Sequence, residues 1–324
     1  MAWIGHNLGC WGRRLGRLRR MGYAVVFPGE GSQFIGMVDP WAGHPAGAAV
    51  LEEASAALGR SIVEACRDEA ALGTTAFVQP ALLACGVAAF RVLLAEGLTD
   101  VVGVAGHSLG EFVALVAAGA VGLADALELV VVRGGAMQRA GEERPGTMSA
   151  LLGVGADDAE ALCAVVRGDD VLVVANRNSP AQSVVSGSVV AIERLEAAAK
   201  ERKTRAVRLQ VAGAFHSELM RPAVQPLLEA LGRIEMRDPA IPIAENVTGE
   251  LVTDAGRLRE LVGRQVVSPV YWETGIRNLA AAGATMFFEA GPGEVLTKLM
   301  KRIDLEVAAA AIPDPQAARA AFTT

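Results

Sequence analysis

The sequence is short of cysteine. Its four, Cys10, Cys66, Cys85 and Cys163, are scattered and form no Cys-x-x-Cys pair. Neither a zinc site nor a disulfide framework is indicated, and a reducing cytoplasm is expected. Positive charge is in deficit as well: 30 Lys and Arg stand against 36 Asp and Glu, a formal net charge of −6. No overall basic field invites nucleic acid, although a local basic patch is compatible with these totals. The most apolar stretch, residues 112–132, is interrupted by Asp125 and Glu128, so no membrane span of about 20 residues is predicted. No period repeats, and low complexity is confined to an Ala-rich terminus after about Asp304, expected to be a partly disordered tail over 305–324. What is present, 52% hydrophobic against 20% charged residues over 324 positions, suffices for a large buried core in one domain or a domain with an insert.

Acidic residues are missing from positions 1–20, which hold Arg13, Arg14, Arg17, Arg19 and Arg20. A secretory signal needs a long apolar core after such a basic region, and residues 23–27 are too few before Pro28-Gly29. An organellar presequence fits the composition. We read Met21 as the true start and leave residues 1–20 outside the fold.

The rest of the chain shows two rhythms. Short apolar runs at 23–27 and 101–105 read as buried strands, and helical patterns follow at 78–96, 109–118 and 123–139, as in an open α/β sheet. Over 147–211 the order becomes strand (147–154), helix (156–167), strand (171–175), strand (182–186), helix (189–203), strand (205–211), a ferredoxin-like βαββαβ unit. A strand at 285–289 and a helix from Glu294 then return to the first rhythm, so the small unit is an insert between large-domain parts at 21–146 and 212–304.

Gly106-His107-Ser108-Leu109-Gly110 lies where a strand meets a helix, the setting of a G-x-S-x-G nucleophile elbow. A serine on that tight turn has strained backbone angles, and glycine flanks avoid collisions. The following helix aims free N–H groups, Leu109's first, at charge developing on a substrate oxygen. A serine nucleophile needs a base, and the chain has only His6, His44, His107 and His216. His6 lies in the N-terminal extension and His44 in a Gly/Pro/Ala-rich loop, read as solvated. His107 adjoins the nucleophile on a turn where neighbouring side chains diverge, so it is read as shaping the elbow. His216, in Gly213-Ala-Phe-His-Ser217 after the insert, remains as the base. Phe27-Pro-Gly-Glu-Gly-Ser-Gln33 fails the G-x-G-x-x-G spacing of a dinucleotide site, and its turn is read as the second half of an oxyanion hole.

These motifs, with Gln79-Pro-Ala-Leu-Leu83, Arg133-Gly134, Asn176-Arg-Asn-Ser-Pro180 and Glu289-Ala-Gly-Pro-Gly-Glu-Val-Leu296, resemble the acyltransferase family of fatty-acid and polyketide synthases over residues 23–303. The likeness is greatest to free-standing malonyl-CoA:acyl-carrier-protein transacylases. It implies an α/β-hydrolase-like domain with a ferredoxin-like insert and a site in the cleft between them. It implies Ser108 as the acylated residue, His216 as base, backbone N–H groups of Leu109 and Glu30 as oxyanion donors, and the Gln265 main-chain carbonyl orienting the histidine. The side chain at 265 carries little weight on this view.

By the same resemblance Arg133 binds the malonyl carboxylate, with Gln79 and Phe215 among the substrate contacts; Phe215 matches malonyl-selective members where methylmalonyl users carry serine. Without the family, Arg133 reads as a surface cation near a helix end. Glu30 departs from the family's usual Gln, and a carboxylate there is expected to slow the reaction or shift its pH optimum. The implied reaction is ping-pong malonyl transfer from malonyl-CoA to an acyl carrier protein, with no metal or bound cofactor, in a monomeric enzyme of fatty-acid or polyketide synthesis. Lys298, Lys301 and Arg302 are candidate docking cations for an acidic carrier, or a solvated helix end. An acyl hydrolase of the same fold and an idle docking component are the rival readings.

Overall fold

The computed structural model describes residues 22–323; residues 1–21, with His6, Cys10 and the expected start Met21 among them, and Thr324 lie outside the described residues. Among the described residues ten strands form two sheets. The larger has β1 (Gly22–Phe27), β2 (Val101–Gly106), β7 (Ile243–Ala244), β8 (Leu251–Val252), β9 (Ala284–Ala290) and β10 (Ala308–Ile312), in the order β10-β9-β1-β2-β7-β8. All its pairings are parallel except β7 with β8. β1 lies inside this sheet with Ala24 to Phe27 fully buried, and a strand covered on both faces reads as an unbroken apolar run rather than an alternating one.

The helix Thr75–Ala95 is the main prop of this sheet. It is apolar all round because it is buried all round, and its Phe90 ring meets Phe27 edge-on at 5.9 Å. By length and composition it could cross a membrane, which the focus on residues 112–132 did not foresee, but 89% of its most apolar window is buried inside the protein. It starts three residues before its expected first residue, 78, and so brings Thr75 into the helix.

The second sheet comprises β3 (Gly146–Leu152), β4 (Leu172–Ser179), β5 (Gln182–Ser188) and β6 (Arg205–Arg208), all antiparallel in the order β4-β5-β3-β6. With helices Ala156–Val166 and Val189–Glu201 this is the ferredoxin-like arrangement, built round Leu151, Leu162, Leu172, Val185 and Ile192. The unit is stitched to the large domain at Val270: Val270 N donates to Ala175 O at 2.8 Å and Arg177 N to Val270 O at 2.9 Å. That seam fixes β4 over the open end of the large sheet.

Two local expectations fail. The Ala-rich terminus is ordered: Ala308–Ile312 pairs with Met286–Ala290 as an edge strand, and a helix Pro315–Ala320 follows. Alanine carries no strand signature, and backbone pairing alone makes this strand. His44 is no solvated loop residue. It caps the helix Pro45–Leu58, its Nδ1 accepting from Ala46 N at 3.2 Å, while Nε2 lies 3.2 Å from Glu96.

Candidate active site

Ser108 sits between β2 and the helix Gly110–Ala117 with φ of 51°, the left-handed region that non-glycine residues avoid. The glycines make the turn possible: a Cβ on Gly106 would lie 1.9 Å from Gly110 carbonyl atoms, and one on Gly110 would lie 2.1 Å from Phe27 O. The strained turn is held by Asn246, a residue sequence reasoning missed. Its Oδ1 accepts from Ser108 N at 2.8 Å and its Nδ2 donates to Gly106 O at 2.7 Å. Asn246→Ala strands both buried backbone groups, an expected loss of about 2–4 kcal/mol. A urea unfolding midpoint checks the stability, and a fall in kcat larger than any rise in KM checks the elbow.

His216 faces the serine from its own left-handed turn, φ 58°. Its Nε2 is 2.7 Å from Ser108 Oγ, and its Nδ1 lies 3.0 Å from both Gln265 O and Ser268 O. Carbonyls only accept, so Nδ1 carries the proton and Nε2 is left bare to accept from the serine hydroxyl. The second carbonyl, from Ser268, was not anticipated. Burial, and then the nearby charge of Arg133, push the His216 imidazolium down to about 3. His216 is therefore neutral at every pH above that value, and the acylation rate is expected to show no protonation of this base between pH 7 and pH 5. A stopped-flow pH profile with a one-proton loss centred near 6.5 would contradict this.

Arg133 lies midway along the helix Leu123–Glu143 and is only 1% exposed, so the surface-cation reading is wrong. Its Nη1 donates to Gln79 Oε1 at 2.8 Å, and its Nη2 to Ser108 Oγ at 3.1 Å and Gln265 Oε1 at 2.9 Å. The Nε–H is buried without a partner among the described residues. Burial lowers the guanidinium to about 10, which leaves it charged at neutral pH. A buried cation held by neutral acceptors, with a donor to spare, is costly unless an anion completes it.

The side chain of Gln265 proves as connected as its carbonyl. Besides accepting from Arg133, it donates to Ser108 O at 3.0 Å and to Glu111 Oε2. Glu111, the last residue of Gly-His-Ser-Leu-Gly-Glu, is buried and pushed up to about 8 by that burial and by the charge of Glu245. Its Oε1 accepts from Asn246 N at 2.9 Å. Arginine, elbow and histidine loop are thus one network, none of whose long-range links has a local sequence signal.

These groups open into a cavity of about 200 Å³ between the two sheets, lined by Gly29, Glu30 and Leu109 from the large domain and by Asn176, Asn178 and Val184 from the insert. The Gly29-Glu30 turn packs on the elbow, where a Cβ on Gly29 would be 2.4 Å from His107 O and 3.7 Å from Leu109 N. Among the described residues neither the Leu109 nor the Glu30 backbone N–H donates to an acceptor. Phe215, 6% exposed, lines the same cavity beside His216. His107 turns away to Asn178, Nε2 to Oδ1 at 2.9 Å, and burial keeps it neutral. Among the described residues no thiol offers a competing nucleophile: burial pushes Cys66 and Cys163 up to about 12 and Cys85 higher. Lys298, Lys301 and Arg302 are exposed at the end of the helix Val295–Met300, whose Val295, Leu296 and Leu299 line the cavity, and Lys298 pairs with Glu294 at 2.6 Å.

A model of the acyl transferase domain family matches residues 24–312. The malonyl CoA-acyl carrier protein transacylase of Salmonella typhimurium is 41% identical over 93% of this chain and 99% of its own. The solved transacylase of that name from Coxiella burnetii superposes with a TM-score of 0.90 at 33% identity, over 94% of this chain and 98% of its own. A malonyl-transacylase solved in complex with its type II PKS acyl-carrier protein superposes at 0.89 with 36% identity, over 93% and 99%. With the elbow, the bare histidine nitrogen and the matched length in one chain, this protein is an acyltransferase and belongs to the malonyl CoA-acyl carrier protein transacylase family.

Proposed function

We propose that the chain transfers a malonyl group from malonyl-CoA to the phosphopantetheine thiol of an acyl carrier protein, through a malonyl ester on Ser108. The observation that carries this reading is Arg133, a buried cation beside the nucleophile with an unpartnered Nε–H. A carboxylate is the ligand that a guanidinium fork with a spare donor accepts best.

His216 Nε2 takes the Ser108 proton as Oγ attacks the thioester carbonyl, and the N–H groups of Leu109 and Glu30 hold the oxyanion. The tetrahedral adduct collapses, His216 returns the proton to the departing CoA sulfur, and the malonyl ester remains. The carrier thiol then gives its proton to His216, attacks the ester, and Ser108 leaves with that proton. The Nδ1–H bonds to the Gln265 and Ser268 carbonyls hold the ring through both halves and steady the imidazolium without an acidic partner. Phe215 crowds the acyl α-carbon and disfavours a branched unit.

Gln79 orients Arg133, and the exposed cations Lys298, Lys301 and Arg302 give an acidic carrier its landing at the cavity rim. No metal or bound cofactor enters the cycle, and one chain holds every group it uses, in keeping with a monomer. Unpaired, buried Cys66, Cys85 and Cys163 suit the reducing cytoplasm expected from sequence.

The test is incubation with malonyl-CoA and holo carrier protein followed by intact mass of the carrier. Malonyl-carrier is the expected product. Free malonate without malonyl-carrier would mean that water is the acceptor and the chain a hydrolase.

A further inference from the structure

Within the proposed malonyl reading, the cavity already contains a carboxyl group of its own. Among the described residues lining it, Glu30 is the one carboxylate and Arg133 the one guanidinium or ammonium. Glu30 Oε1 accepts from Thr75 Oγ1 at 2.8 Å, and Thr75 stands one helical turn from Gln79, which grips Arg133 Nη1. The Glu30 carboxyl is thus fixed within reach of the charge that a malonyl carboxylate would use. Among the described residues no ion pair joins Glu30 to Arg133, which lines the cavity with its guanidinium held by Gln79, Ser108 and Gln265.

A second carboxylate placed on Arg133 meets Glu30 as a like charge inside the same cavity. Two carboxyls sharing one site resolve the repulsion by keeping one of them protonated. The malonyl carboxylate, fastened to the guanidinium, is the one that stays ionised. Glu30, held by the Thr75 hydroxyl, which tolerates either form, and without a guanidinium of its own, is the one that takes the proton, against the pull of the nearby Gln79 side chain.

We propose that Glu30 sets the acyl selectivity of this chain by proton uptake: malonyl-CoA binds with Glu30 in its neutral form, and binding weakens as rising pH ionises Glu30. The neutral carboxylic acid then behaves as an amide would, satisfying Thr75 without opposing the substrate. The direction of the free group agrees, since burial raises Glu30 above the usual carboxylate range despite the Thr75 hydrogen bond, the charge of Arg133 and the Gln79 side chain.

The charged and titratable groups facing this corner are Arg133 from the helix Leu123–Glu143, His107 and Glu111 from the elbow, and His216 from the opposite loop. Burial lowers both histidines, His216 to about 3, and Arg133 titrates at about 10. Glu111, at about 8, titrates in the working range. A Glu30→Gln variant keeps Glu111 in place, so any difference between the two proteins belongs to Glu30.

The test is calorimetric titration of malonyl-CoA into Ser108→Ala protein, which cannot be acylated, in two buffers of different ionisation enthalpy between pH 5.5 and 8.5. Between the free and bound titrations of Glu30, up to one proton is expected to be taken up per malonyl-CoA, with Kd rising by as much as about tenfold per pH unit. Ser108→Ala/Glu30→Gln is expected to lose the Glu30 share of that uptake and bind with a flatter pH dependence, left only with what Glu111 contributes, and acetyl-CoA, which carries no acyl carboxylate, to draw no such proton in either protein. Equal proton uptake in both proteins at every pH would overturn this inference and leave the malonyl reading standing. No malonyl-CoA binding by either protein would overturn the malonyl reading and the inference with it. Thermal melts of both proteins at each pH identify any loss that comes from unfolding.

Discussion

Replacing His216 with alanine is expected to slow malonyl transfer by about 10³- to 10⁴-fold, the upper range for removing a general base that serves both half-reactions. KM for malonyl-CoA should move little, because the ring touches Ser108 and two carbonyls rather than the acyl carboxylate. The substitution strands the Gln265 and Ser268 carbonyls that now accept from Nδ1, so some stability is lost as well. Added imidazole separates the two effects: partial rescue marks a missing base, and rescue does not repair a damaged fold. Steady-state kinetics with and without imidazole make the check.

Arg133→Ala has the second largest expected effect, and its sign depends on the substrate. Removing one partner of a buried charge pair costs about 3–4 kcal/mol, or roughly 10²- to 10³-fold in kcat/KM for malonyl-CoA. For acetyl-CoA the wild-type site presents a buried cation with nothing to neutralise it, so the same substitution should leave acetyl transfer unchanged or faster. The variant also releases Gln79 and Gln265 from their shared donor and frees Ser108 Oγ of the Nη2 contact, which lowers the ceiling on any acetyl gain. Arg133→Lys keeps the charge without the fork and should fall between the two. Equal losses for both acyl units would make the arginine a structural residue.

How much of this was readable beforehand follows from how local each signal is. The elbow lies within five consecutive residues between a strand and a helix, and glycine, serine and apolar periodicity declare it directly. The insert announces itself because its helices and strands change period within 60-odd residues, and the tertiary contacts only confirm a rhythm already present. What escaped depends on distant partners. Asn246 clamps an elbow 138 residues before it, and the Gln265 side chain joins three groups that no spacing rule connects. Arg133 was misread as a surface cation without the family because helical periodicity shows a face and not what covers it. The Ala-rich edge strand was lost for a different reason: its side chains contribute nothing, and only the open edge of β9 recruits it.

Glu30 shows both limits at once. As a departure from the family's glutamine it was visible in the sequence, and it was expected to act near the oxyanion. The structure directs its side chain to Thr75 instead, one helical turn from the Gln79 that holds Arg133, while its backbone N–H stays in the turn that packs on the elbow.

The central claim is that Ser108 carries the malonyl group between two thiols. Brief exposure to malonyl-CoA without carrier, acid quenching, and peptide mass mapping test it directly. One malonyl group should appear on the peptide containing Ser108, vanish when holo carrier protein is added before the quench, and be absent from Ser108→Ala. An unmodified Ser108 peptide alongside continued formation of malonyl-carrier, or a malonyl group on another residue, would contradict it.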